Sequence, residues 1–160
     1  MKKCSCCGKQ LGDFTLDIAY QLPDVVWAIP EEERADRAKF NTDLCQYEDR
    51  FYLRGILYTP IIGEEQKFGW GLWAEVDEEA FQKYLAVYDK DGSGAPPVAG
   101  VLANTPSGYE GAEGVRVQIH FGPSTERPEL VAEPSAHLFY SEQTQGITLK
   151  RVHELNKRHS

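Results

Sequence analysis

The chain has 160 residues, enough for one domain with a self-sufficient apolar core and no need of disulfides. Its 17 Lys and Arg against 25 Asp and Glu leave a net charge of −8, which repels phosphate backbones and argues against general nucleic-acid binding. Its apolar runs are all too short for the ~20-residue stretch a membrane span needs.

The chain opens with "MKKCSCCGK", two lysines with no apolar stretch behind them, so a signal peptide is not expected there and a cytoplasmic location is. In that compartment the cysteines are thiols or metal ligands rather than disulfides. Segment 11–29, "LGDFTLDIAYQLPDVVWAI", is broken by Pro23 and reads as irregular, with Leu16, Ile18, Val26 and Trp27 packing down. "PEEERADRAKF" reads as a short helix, because Pro30 suits a first turn and Glu31, Glu32 and Glu33 suit the positive end of a helix dipole. From Thr42 the period changes to two: "DLCQYE" and "FYLRGILYT" flank Asp49–Arg50 and predict an antiparallel hairpin. In "FGWGLWAEV" the residues Phe68, Trp70, Leu72, Ala74 and Val76 share one face. Asp77 is the expected N-cap of a helix running to about Tyr88, with Phe81, Leu85 and Tyr88 along one side. "VAGVLAN", "VRVQIHF" and "ELVAEP" predict further strands, with "SGYEGAEG" and "GPSTERP" as turns. The last helix carries Leu149, Val152 and Leu155 as a narrow stripe; its basic residues Lys150, Arg151, Lys157 and Arg158 read as a solvated face. Strands in runs with helices at intervals predict a single α+β domain over 1–160: a mainly antiparallel sheet of about five to six strands with three helices. A Cys-rich knuckle at 1–12 is expected to pack on that body.

Three patterns suggest chemistry. "DKDGSG" at 89–94 looks like the start of an EF-hand loop, matching at Asp89, Asp91, Ser93 and Gly94. The bidentate position is Gly100, however, and Pro96–Pro97 stand where the second helix should begin, so a polar turn is expected and calcium is not. Cys4-x-x-Cys7-Gly8 has the form of a zinc knuckle, since two thiolates at that spacing grip one tetrahedral ion. Cys45, on a predicted strand, is the candidate third ligand for a structural zinc; Cys6, a histidine or water is left as the fourth. The rival reading makes Cys45 a core residue. His120 closes a strand and His137 sits in "EPSAHLFYSEQ", with Glu133 and Glu142 near in sequence, so a histidine–carboxylate pair is conceivable. A strand-end histidine is more often a hydrogen-bonded structural residue, and no nucleophile or phosphate-loop motif accompanies these. Trp70 and Trp73 point to opposite faces, one toward the core and the other, Trp73, a candidate for lining a ligand site.

Taken together, "CxxCG" at 4–8, "LDIAYQLPD" at 16–24, "WAIPEEER" at 27–34, "NTDLC" at 41–45, "FYLRG" at 51–55, "FGWGLW" at 68–73, "RPELVAEPSAH" at 127–137 and "EQTQGIT" at 142–148 carry a resemblance. The chain resembles a bacterial family catalogued as domain of unknown function 2199. The resemblance implies that Cys4, Cys7 and Cys45 belong to one pattern. It also implies a histidine shortly after the knuckle, where this chain has Leu11. No activity comes with it. The expectation is therefore a binding protein with structural zinc, its acidic surface suited to a basic protein partner, and with no nucleic-acid or membrane role. The rival is a hydrolase-type enzyme using His120 or His137 with Glu133 or Glu142.

Overall fold

The computed structural model describes residues 8–124 and 126–159. A 3-10 turn at Leu11–Asp13 leads into β1 (Asp17–Ala19), α1 (Asp24–Trp27), α2 (Glu31–Arg37), β2 (Ala38–Phe40), β3 (Leu44–Tyr47), β4 (Arg50–Pro60) and β5 (Lys67–Val76). The chain continues through α3 (Glu78–Val87), β6 (Val98–Leu102), β7 (Arg116–His120), β8 (Glu129–Ala132), α4 (Leu138–Gln145) and α5 (Leu149–Arg158).

The long period-two runs form the backbone of the fold. β4 and β5 pair antiparallel over their whole length, from Phe51 opposite Val76 to Pro60 opposite Lys67. β6, β7 and β8 follow as an antiparallel meander from β5. β8 then returns to β4 in parallel, at Ile56 opposite Glu129, so that five strands close on themselves. Closure gives those strands no free edge where they meet. It requires Gly55, because a Cβ there would stand 2.8 Å from both the Leu130 side chain and the Pro128 carbonyl. β1 pairs in parallel with β5, and β3 and β2 extend the sheet from β4.

The two faces of the β4–β5 pair each cover a core. Leu53, Leu57, Phe68, Trp70, Leu72 and Ala74 belong to the main one, which the α3, α4 and α5 stripes close. Trp70 is central there, edge-on to Tyr109 and Phe139 at 5.1 and 5.6 Å between ring centroids. The opposite face buries Tyr52 and Trp73 against Leu22, Val26, Ile29, Ala38, Cys45 and Ala103. Asn104, fully buried, pins that cover in place. Its Oδ1 accepts from Trp73 N–H, and its Nδ2 donates to Leu22 O and to Asp24.

The expected strands and helices form, although the end of the expected 30–40 helix becomes β2; among the described residues the architecture has eight strands and five helices, and five of the strands close into a barrel. The 11–29 segment is not irregular throughout: Pro23 opens the short helix α1 instead of merely breaking the chain. Trp27 is 56% exposed, whereas Val26 is fully buried, because one turn of helix can turn only one of the two neighbours inward. "HLFYSEQ" forms α4, capped by its own histidine. In α3 the buried stripe is Ala80, Phe81 and Tyr84, with Leu85 and Tyr88 at the surface. The 89–94 loop leads into strand β6 rather than a second helix, and Asp91 caps its own turn by accepting from the Ser93 amide. No helix in the described residues is long and apolar enough to cross a membrane. The Cys4–Cys7 knuckle lies outside the described residues, so the expected packing of 1–12 rests on sequence for its cysteines.

Candidate functional site

A cleft of about 920 Å³ lies between the β2–β3 loop, the end of α3, the end of β7 and the chain leading into β8. Its size falls within the range of ordinary ligand pockets. Asp43 is the best-fixed group in its wall. Asn41 Oδ1 accepts from the amides of Asp43 and Leu44, both at 2.8 Å, which curls the loop so that the Asp43 carboxylate meets α3 and the β7–β8 connection. That carboxylate accepts from Tyr88 OH at 2.7 Å and from Arg127 Nε at 3.0 Å. Burial pushes the Asp43 carboxyl upward, but the hydrogen bonds from Tyr88 and Arg127, with the charge of Arg127, outweigh it and hold the group below its ordinary value.

The phenols respond in the opposite sense. Burial, followed by the charge of Asp43, pushes Tyr84 up to about 12, and the hydrogen bond to Asp43 raises Tyr88. Both therefore stand as donors at neutral pH, not as nucleophiles. His120 and Glu129 face each other across β7 and β8 on the cleft wall, with Asp89 and Glu126 nearby. The His120 ring makes no hydrogen bond among the described residues. The cleft thus gathers Asp43, Asp89, Glu126 and Glu129 around a single guanidinium, that of Arg127.

The other expected site residues lie elsewhere. His137 is tied into the fold: its Nδ1 accepts from Phe139 N–H at 3.0 Å as the N-cap of α4, and its Nε2 donates to Glu110 O at 3.0 Å. One neutral tautomer satisfies both bonds. Glu142 accepts from Tyr109 OH at 2.5 Å and from Arg151 Nε at 2.8 Å, and Glu133 accepts from Gln118 at 3.0 Å. His137 and both glutamates are thus committed to other partners, leaving only His120 in the cleft. Trp73, the expected lining residue, is fully buried; its indole donates to Tyr20 O and its ring lies under Arg54 at 5.8 Å.

Cys45 is 1% exposed within the second core, and burial pushes its thiol up to about 12. Burial of this kind favours the protonated thiol as long as no cation stands beside it. Cys45 also pairs beside Tyr52, opposite Glu75, toward the far end of β5 from the Gly69–Gly71 stretch that holds β1. No group of three His, Cys, Asp or Glu among the described residues is placed to hold a metal. Cys4 and Cys7 lie outside those residues.

Asp43 and Arg127 were not expected in a site, although they lie in "NTDLC" and at the start of "RPELVAEPSAH", and Tyr88 was expected only on the apolar side of its helix. The available signal was Asn41 two residues before an aspartate, the pattern of an Asx turn whose amide oxygen curls the chain around the Asp43 carboxylate. Fold and cleft together define a closed-barrel α+β protein with an acidic surface hollow. The chain belongs to the family described as an uncharacterized protein conserved in bacteria, domain of unknown function 2199, whose model matches residues 3–147. No curated protein and no solved structure matches the chain.

Proposed function

We propose that the protein acts in the cytoplasm by binding rather than catalysis, and that the cleft beside Asp43 receives a cationic side chain of a basic protein partner. The observation that carries this is the excess of carboxylates in its wall: Arg127 neutralises Asp43, leaving Asp89, Glu126 and Glu129 unbalanced. The overall charge of −8 would steer a basic partner toward that wall. Tri-arginine is the test ligand. Calorimetry should show saturable binding that weakens with salt, and the Glu126→Gln/Glu129→Gln double variant should weaken it about tenfold. Tri-arginine that fails to bind, or binds the double variant equally well, removes the proposal.

A second reading, an acid–base hydrolase, is favoured by one feature: His120 and Glu129 meet across neighbouring strands in the same cleft. It requires turnover of a chromogenic carboxylic or phosphoric ester that is lost in a folded His120→Ala variant. Structural zinc on Cys4 and Cys7 remains part of the proposed binding protein, supported by the C-x-x-C-G spacing.

A further inference from the structure

A second hollow, of about 830 Å³, lies on the other side of the Asn41–Thr42 turn, and its chemistry is of the opposite sign. Its walls include Trp27, Glu31, Arg34, Phe40 and Arg54. Trp27 and Phe40 are large apolar residues left 56% and 43% exposed, so two aromatic rings stand open on one groove. Arg34 lies over the Trp27 ring at 4.6 Å and donates from Nη2 to Trp27 O at 2.8 Å, while its Nε has no partner among the described residues.

Arg54 is the more telling group. It is only 7% exposed, yet makes no ion pair among the described residues. Its one hydrogen bond there runs from Nη1 to Thr42 O at 3.0 Å, and its Nε is buried without a partner. Removing a guanidinium from water costs several kcal/mol unless a counter-charge and full hydrogen bonding compensate. The nearby charges do not compensate. Burial and the charge of Arg127 both disfavour the cation, against the weaker help of Asp43, which is already engaged by Arg127 and Tyr88. Glu31, on the groove wall, pairs with neither arginine in the described residues. A buried, uncompensated cation in one groove with a second arginine and two exposed rings has the chemistry that suits an anion carried on an aromatic ring.

We propose that this groove binds a small planar anion, an aromatic ring bearing a carboxylate or a phosphate. The oxyanion would sit between Arg34 and Arg54, whose forked donors suit either group. The ring would stack against Trp27 or Phe40. Five of the segments that carried the family resemblance contribute to this wall or its support: Leu22, Trp27 with Arg34, Asn41 with Thr42, Arg54, and Trp73 beneath Arg54.

Calorimetric titration of the whole protein with benzoate, phenyl phosphate and benzylammonium tests this. At least one anion should bind saturably, and which one does so distinguishes the carboxylate from the phosphate source; benzylammonium should bind at least tenfold more weakly. Arg34→Gln, Arg54→Met and Trp27→Ala should each weaken the anion about tenfold or more. Arg34 and Trp27 are not core residues, so their variants decide the matter if Arg54→Met does not fold. Tri-arginine binding should be unaffected by these changes, which separates this site from the acidic cleft. Failure of both anions to bind, equal binding of benzylammonium, or unchanged affinity in the folded variants overturns the proposal.

Discussion

Replacing Glu142 with alanine removes one acceptor shared by two donors, which makes it the sharpest test of whether this carboxylate is structural or catalytic. Tyr109, 1% exposed, donates to its Oε1, and Arg151, with a side chain 20% exposed, donates to its Oε2. Without Glu142 the phenol has no other acceptor among the described residues, a desolvation cost of about 1–3 kcal/mol. Losing the charge-assisted bond to Arg151 adds about 1.5–3 kcal/mol, partly relieved because Arg151 still reaches Glu154 at 3.4 Å. Glu142→Ala is therefore expected to cost about 3–5 kcal/mol, in line with breaking other buried pairs. Glu142→Gln keeps an acceptor for Tyr109 and should cost only about 1–2 kcal/mol. Urea denaturation measures both, and the alanine variant should also melt roughly 10 °C lower. A loss below about 1 kcal/mol for Glu142→Ala would refute the network, and lost ester turnover in a fully stable variant would return Glu142 to the catalytic candidates.

The His137 cap and the cysteines give two further checks. His137→Ala should lower stability by about 1–2 kcal/mol, through loss of the α4 cap and the tie to Glu110, and His137→Asn should recover about half by restoring the cap acceptor. Equal unfolding midpoints for wild type and His137→Ala would contradict that role. Cys45→Ser should cost about 1–3 kcal/mol by burying a hydroxyl in an apolar cluster. On the zinc proposal, elemental analysis should show the metal lost in Cys4→Ser and Cys7→Ser. Zinc lost on Cys45→Ser as well would make that thiol a ligand.

Elements whose stabilisation is local could be read in advance. The β4–β5 alternation, the Asp77 cap of α3 and the Leu149–Val152–Leu155 stripe are periodic or capping signals that need no distant partner to be recognised. α4 was missed because its cap is a histidine, outside the usual capping set, and its acceptor geometry depends on Glu110 from a remote loop. Tyr109 lay in a stretch read as turn, yet it is buried, stacked on Phe139 at 4.1 Å. Its burial comes from α4, which the same reading had not found.

The alternating faces of β4 and β5, the α+β class and the acidic balance are properties of the chain itself, since period and composition are written residue by residue. Closure of the barrel is not. It depends on β8 reaching β4 in parallel, a contact about 70 residues apart in sequence that only Gly55 leaves room for. The same long-range packing decided the sites. Arg54 breaks an apolar strand run, and its sequence position says nothing of whether a carboxylate waits beside it. Only the fold shows Arg127 taking Asp43 on one side of the loop and Arg54 left with a single backbone carbonyl on the other. Charge pairing is a matter of distance in space, and a linear chain does not record it.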